Sequence, residues 1–119
     1  MDDTKLVGLV TAFNEAFNAG DLDKCAEFFA ENITVINGDQ HTASNRADFI
    51  AAAKAGQAAG WIGQRLISAA AKNNTIALLY ENLFADGSTT TGAGGILIDD
   101  TGRICQIRTV NGAGTPLQA

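Results

Sequence analysis

The sequence predicts an α+β domain in which helices come first and a mostly antiparallel, curved sheet follows. Two observations predict it: apolar residues recur at helical spacing in the first half of the chain, and alternating runs separated by tight turns fill the second half. The chain has 119 residues, of which 46% are hydrophobic and 18% charged, a composition typical of one folded domain. We therefore expect a single domain over residues 1–119, with the sheet wrapped around the helices.

Apolar spacing and capping residues mark the first two helices. Residues 4–18 carry apolar side chains at the i, i+3, i+4, i+7 positions of a helix. Gly20 can end this helix in the left-handed conformation. Asp21 is placed as the N-cap of a second helix over about 21–30.

One short strand and a third helix complete the first half. Residues 33–36 form a β-branched run that is closed by turn residues, which indicates a strand. Ser44 or Asn45 can cap a third helix that runs towards Gly60, with Asp48 placed to return a capping bond.

Turn residues divide the second half into four strands. Asn73-Asn74, Asp86-Gly87 and the turn at 99–102 consist of residues that tolerate positive φ. The predicted strands form an antiparallel meander over 64–72, 75–85, 88–98 and 103–111.

Charge and hydropathy exclude several classes of partner. The net charge of −5 repels phosphate backbones and anionic lipid, so we expect no nucleic acid or membrane partner. No stretch reaches the roughly 18 apolar residues of a membrane span, and the sequence opens with Met1-Asp2-Asp3 instead of a basic segment followed by an apolar one, so we expect a cytoplasmic protein. Cys25 and Cys105 lack metal-ligand spacing, and we predict buried thiols and no metal site.

The strand over 75–85 is apolar on both faces. Leu78, Tyr80 and Phe84 share one face with an asparagine, and Leu79 shares the other with Leu83. A small antiparallel sheet normally leaves one face in water, so a second apolar face indicates a contact, most simply with a second copy. We predict a homodimer through the outer face, and assign Leu78, Tyr80 and Phe84 to it.

Glu81 is the one charged residue of this strand and has two interpretations. It can form a structural ion pair with Arg65 or Arg108, or lie on the surface. Alternatively it is an inward-facing carboxylate whose charged form is destabilised by desolvation, which would suit it to proton transfer near neutral pH.

Several segments resemble the nuclear transport factor 2-like superfamily, in particular SnoaL-type polyketide cyclases and ketosteroid isomerases. The resemblance covers residues 4–111, and the segments are FNAGDLD (17–23), FFAEN (28–32), ITV (33–35), NRA (45–47) and DDTGRI (99–104). It implies a cone-shaped α+β barrel with three helices in a curved sheet around an apolar pocket. Members include enzymes and non-catalytic binders, so the resemblance leaves the activity open.

The resemblance also implies which side chains face the pocket. On the superfamily's pleat these are Phe13, Phe17, Asn37, Leu79, Glu81, Leu83, Ile107, Thr109 and Asn111. Glu81 would be the only carboxylate among them. Trp61 opens a strand and is either a core or dimer anchor or a platform for the ligand.

The catalytic groups of the ketosteroid isomerases are replaced in this chain. That chemistry needs a carboxylate base with an oxyanion hole of Tyr and protonated Asp, and Phe13, Asn37 and Gly94 stand at the three positions. Where SnoaL-type cyclases tend to place an acid, near the end of the last strand, this chain has Thr109 and Asn111. Steroid-type isomerisation by that mechanism is therefore not expected.

Two further features have a plain structural interpretation. His41, the sole histidine, lies in a predicted polar loop over 38–44, near the expected pocket mouth, and is either an exposed residue without a role or a proton carrier. Gly92, Gly94 and Gly95 interrupt a strand instead of opening a helix, so they indicate a bend in the sheet and not a phosphate-binding loop.

We expect a protein that binds a small apolar molecule bearing one or two polar groups near Asn37, Glu81 and Asn111, without metal, nucleotide or other cofactor. If it is an enzyme, Glu81 transfers a proton in an isomerase, cyclase, dehydratase or hydrolase step, and His41 is a weaker candidate. The alternative is a non-enzymatic module whose own side chains fill the pocket and whose sheet binds a protein.

Overall fold

The computed structural model describes residues 2–112, and describes residues 111 and 112 by their backbone only. It contains three helices and six strands in these residues. In chain order these are α1 (Asp3–Asn18), α2 (Leu22–Glu27), β1 (Phe29–Asn37), β2 (Gln40–Ala43), α3 (Arg46–Ala58), β3 (Trp61–Lys72), β4 (Thr75–Phe84), β5 (Thr89–Ile98) and β6 (Ile104–Gly112). The predicted α+β class, with helices first and a meander afterwards, is confirmed.

The six strands form one mixed sheet in the order β2-β1-β6-β5-β4-β3. All neighbours are antiparallel except β1 and β6, which run parallel. The described strands leave β2 and β3 as free edges, so the sheet is curved but open, and the cone-shaped barrel that the resemblance implied is not confirmed as a barrel.

The predicted N-caps of α2 and α3 are confirmed, and the structure adds a third N-cap, Asp2, at α1. Asp2 accepts a hydrogen bond from Lys5 N at 2.9 Å, and Asp21 accepts one from Lys24 N at 3.1 Å. These bonds satisfy backbone donors that the first turn of a helix leaves unpaired. At α3, Asn45 Oδ1 accepts from Asp48 N, and the Asp48 carboxylate accepts from Ser44 N at 3.2 Å.

The first half of the chain contains more strand than predicted. α2 ends at Glu27 and not near residue 30, because Phe29 already pairs with Ile104 of β6. The segment after Gly38, which has φ +64°, turns back as β2 and pairs with β1. Its polar sequence concealed a strand where we expected a loop.

The core lies between the helices and one face of the sheet, which we call the inner face. On β4 the inner face carries Ile76, Tyr80 and Asn82, all nearly inaccessible to solvent. The opposite, outer face of β4 carries Thr75, Leu79 and Glu81. No helix in residues 2–112 is long and apolar enough to cross a membrane.

Edge-to-face aromatic contacts connect the helices to the first strand and to β3. Phe17 packs against Phe13 at 5.6 Å, against Phe49 at 5.9 Å and against Trp61 at 4.6 Å between ring centroids. Phe29 and Phe49 pack at 4.5 Å. Such pairs add about 0.5–1.5 kcal/mol each beyond the area they bury. All members of this cluster except Phe29 also line a cavity between the helices and the sheet.

Candidate functional site

A cavity with two chambers lies between the helices and the inner face of the sheet. The outer chamber has a volume of about 440 Å³ and the inner chamber of about 190 Å³. Side chains that contribute to both walls are Phe17, Val35, Phe49, Trp61 and Asn82. A cavity of this size accommodates a small organic molecule.

Small residues of α3 make room for the outer chamber. Its helical wall consists of Ala52, Ala53 and Gly56, with Ala59 at the C-cap. A Cβ built on Gly56 would meet nothing within 4 Å. The outer chamber is wide because α3 places only alanine and glycine residues along this part of the wall.

A chain of hydrogen bonds crosses the boundary between the chambers. The Trp61 indole N–H donates to Asn82 Oδ1 at 3.2 Å, and Asn82 Nδ2 donates to Thr90 Oγ1 at 3.2 Å. Asn82 is 9% exposed, so its amide is nearly desolvated and its orientation is determined by these partners. Thr90 lines the outer chamber, so this series of hydrogen bonds ends in the wall of that chamber.

Tyr80 is the polar group at the base of the inner chamber. Burial raises the pKa of the Tyr80 phenol above its ordinary value, while its hydrogen bond with Thr109 acts in the opposite direction. The phenol therefore stays protonated at neutral pH. A Cβ on Gly92 would collide with the Tyr80 ring, so this glycine makes the space that the ring occupies.

The structure brings several of the predicted residues into the cavity wall. Phe13, Ile107 and Thr109 line the inner chamber, Asn37 lines the outer one, and Phe17 and Trp61 line both. Trp61 thus packs against the aromatic cluster and faces the chambers at once. The side chain of Asn111 lies outside the described part of the chain.

Glu81, Leu79 and Leu83 lie on the outer face, and their expected inward orientation is wrong. Glu81 Oε1 forms an ion pair with Arg65 Nη2 at 3.3 Å, with 27% of the Glu81 side chain exposed. This is the structural interpretation of Glu81. Because β4 is apolar on both faces, alternation of apolar and polar residues could not show which face is inward. The assignment of β4 residues to the two faces, taken from the resemblance, was therefore shifted by one residue.

The same shift corrects the residues assigned to the outer face. Leu78 and Tyr80 line the inner chamber and Phe84 the outer chamber, so none of the three belongs to an outward dimer surface. His41 is an exposed residue of β2, opposite Ile36, and does not line either chamber.

Sequence reasoning missed Tyr80, Asn82, Thr90 and Phe49. A usable signal was the pairing of an aromatic residue with glycine across a hairpin: the Asp86-Gly87 turn brings Gly92 opposite Tyr80. That pair places Tyr80, and with it Asn82 two residues later, on the face where the glycine leaves space.

The described lining of both chambers contains neither acidic nor basic side chains. The Tyr80 phenol lines the inner chamber, and the Asp86 carboxylate lines a cleft that shares Thr90 and Phe84 with the outer chamber. No three His, Cys, Asp or Glu residues within residues 2–112 come together as a metal site would require.

Three helices packed on one curved sheet, with a cavity between them, define the class of fold. Comparison with known proteins assigns the family. The model of the SnoaL-like domain matches residues 10–110, so the chain belongs to the SnoaL-like domain family. No curated protein matches the sequence.

Solved structures share this fold at low sequence identity. A proposed ketosteroid isomerase from Kribbella flavida has a TM-score of 0.84 at 14% identity, over 99% of this chain and 85% of the other. A proposed polyketide cyclase from Sinorhizobium meliloti has a TM-score of 0.77 at 17% identity, over 92% and 99%. A proposed SnoaL-like isomerase from Agrobacterium tumefaciens C58 has a TM-score of 0.77 at 15% identity, over 92% and 99%.

Proposed function

We propose that this protein binds a small, uncharged, mostly apolar ligand in the two-chamber cavity. The observation that carries the proposal is the aromatic wall of the outer chamber, about 440 Å³ in volume, with the Trp61–Asn82–Thr90 hydrogen bonds beside it. Aromatic and aliphatic walls favour an apolar ligand, and a few oriented polar groups determine how it lies.

The absence of charge in the described lining supports an uncharged ligand. An ion buried there would lose its hydration without gaining a counter-charge, which costs several kcal/mol. Structural neighbours described as a cyclase and as isomerases support a reaction on such a ligand. A proton transfer by Glu81 has no support, because this carboxylate lies on the outer face.

Two other elements belong to the same proposal. The protein acts as a homodimer through the outer face of the sheet, where Leu79, Leu97 and Val110 are exposed. It acts in the cytoplasm, in line with its two unpaired thiols, Cys25 and Cys105.

The proposal is tested by detecting a bound ligand and then by filling the outer chamber with a larger side chain. Native mass spectrometry of the purified protein, followed by thermal shift with neutral aromatic and alicyclic compounds, should detect at least one bound molecule. Gly56→Leu projects a side chain into the chamber and should weaken binding at least about tenfold, or 1.4 kcal/mol. The variant should fold normally, since leucine is a better helix former than glycine by about 0.5–1 kcal/mol.

Ala55→Leu is the matched control, because Ala55 is an exposed neighbour on the same helix that does not line either chamber. It should bind as the unmodified protein does. A Gly56→Leu variant that binds the same compounds equally well would contradict binding in this chamber.

A further inference from the structure

We infer that the ligand presents a hydrogen-bond acceptor oxygen, a ketone, ester or ether, to the hydroxyl of Thr90 in the outer chamber. The inference rests on the proposed function and narrows its ligand to neutral carbonyl and ether compounds. It follows from the direction of the hydrogen-bond chain that ends at Thr90.

The Trp61 indole determines that direction. An indole N–H can only donate, so the Asn82 atom that faces it, at 3.2 Å, must be the amide oxygen. The other end of the Asn82 amide is then its NH₂ group, which lies 3.2 Å from Thr90 Oγ1 and donates to it. The amide orientation is therefore required by the chemistry of its neighbour and does not depend on telling oxygen from nitrogen.

Thr90 consequently keeps its own proton for another partner. A hydroxyl has one donor and two acceptor sites, and the Asn82 bond uses an acceptor site only. Thr90 lies opposite Asn82 on the inner face and lines the outer chamber. An acceptor oxygen of a ligand in this chamber pairs with that proton, whereas a ligand group that can only donate would leave the proton unpaired.

The surrounding charges favour a neutral acceptor over a carboxylate. Thr90 also lines an adjoining cleft that contains Asp86. The Asp86 carboxylate accepts from Ser88 N at 2.9 Å and from Ser88 Oγ at 2.5 Å, bonds that stabilise its charged form. A ligand anion in the outer chamber would find no compensating cation in the described lining, and Asp86 places a charge of the same sign in the adjoining cleft.

A pair of nearly isosteric probes tests the inference: 2-acetylnaphthalene and 2-isopropenylnaphthalene, which differ by a carbonyl oxygen in place of a methylene group. Dissociation constants are measured by quenching of the Trp61 fluorescence, the only tryptophan of the chain. Thr90→Val removes the hydroxyl and keeps the shape. It should weaken the ketone about 3- to 10-fold, the range of one hydrogen bond, and change the affinity for the alkene less than about twofold.

Two further variants separate the hydroxyl from the fold. Thr90→Ser keeps the donor and should retain ketone binding within about threefold of the unmodified protein. Thr91→Val is the same substitution one residue along β5, at an exposed position opposite Glu81, and should change neither affinity.

Each outcome bears on a different claim. If Thr90→Val weakens both probes equally, or neither, the Thr90 hydroxyl does not recognise the ligand and the inference is overturned while ligand binding stands. If the unmodified protein binds neither probe but does bind other compounds of the thermal-shift panel, the inference is overturned and ligand binding stands. If it binds no compound of the panel either, the proposed function fails and the inference fails with it.

Discussion

Gly92 shows how one missing side chain positions a functional group. It lies opposite Tyr80 on the neighbouring strand, and a Cβ at this position would collide with the Tyr80 ring. Glycine in a strand normally weakens it, but here it allows the phenol to lie flat against β5 and reach Thr109.

Gly92→Ala should therefore destabilise the protein by about 1–3 kcal/mol, because the ring or the backbone must move to admit the methyl group. Urea denaturation measures the loss. Gly95→Ala is the control on the same strand, since its Cβ would meet only Ile76 O at 3.9 Å. Equal stability of the two variants would show that the Tyr80 ring does not depend on this glycine.

Glu81 and Arg65 form an ion pair on the surface of the sheet, with 61% of the Arg65 side chain exposed. Exposed pairs contribute only about 0–1 kcal/mol, because water screens them. Glu81→Gln should thus change the free energy of unfolding at pH 7 by less than about 1 kcal/mol and leave ligand binding intact. A loss of about 3 kcal/mol or more, typical of a broken buried pair, would contradict the surface position.

At the scale of elements, side chains of α1 cover the exposed edge of β3. Asn18 Oδ1 accepts from Gln64 N at 2.7 Å and its Nδ2 donates to Gln64 O at 2.8 Å. A neighbouring strand would form the same two bonds with the backbone of Gln64, so the Asn18 amide takes the place of a strand at this point of the β3 edge. Free edges pair readily with other chains, and Asn18 blocks such pairing at Gln64.

Asn18→Ala should cost about 1–2 kcal/mol for the two lost bonds and increase concentration-dependent association, which light scattering detects. Asn14→Ala provides a comparison: Asn14 donates one longer bond of 3.3 Å to Gln64 O, and its buried Oδ1 has no hydrogen-bond partner in the described chain. Asn14→Ala should therefore lower the free energy of unfolding by less than Asn18→Ala does. Equal effects would mean that the edge is held by something other than the Asn18 amide.

Elements with local signals could be predicted from the sequence. The caps at Asp21 and Asn45 and the turns at Asn73-Asn74 and Gly102 follow from single residues and their conformational preferences. The parallel pairing of β1 with β6 joins distant segments and leaves no local pattern.

The faces of β4 were assigned wrongly because leucines occupy both sides, and only Gly92 across the hairpin distinguishes them. Part of the aromatic wall and two polar residues of the lining, Asn37 and Thr109, were predicted from the sequence, whereas the small-residue wall on α3 was not. Asn82 was also missed, because its position in the strand sequence does not show which face of the sheet it lies on.

At the scale of the molecule, the outer face of the sheet carries exposed apolar side chains. They are Leu79, Leu97 and Val110, with 38%, 41% and 65% of their surface exposed. Leu79 and Val110 flank Ala93 in one row across three strands. The dimer proposed from the sequence therefore uses this set, and not Leu78, Tyr80 and Phe84.

Light scattering at micromolar concentration should give a mass about twice the 12.3 kDa of the chain. Leu79→Lys should shift the protein to the monomer, because a buried ammonium without a partner is costly. Ala51→Lys, at an exposed position of α3, should not. A monomer for the unmodified protein would end the dimer proposal.

The parallel contact between β1 and β6 also has a consequence for how the chain folds. The hairpins β3–β4, β4–β5 and β5–β6 join strands that are neighbours in sequence. β1 and β6 are separated in sequence by β2, α3 and three strands of the meander. Closing so long a loop costs more entropy than closing a hairpin, and non-local pairing slows folding. We expect the meander to form the nucleus, and mutations in β1 and β2 to speed unfolding more than they slow refolding.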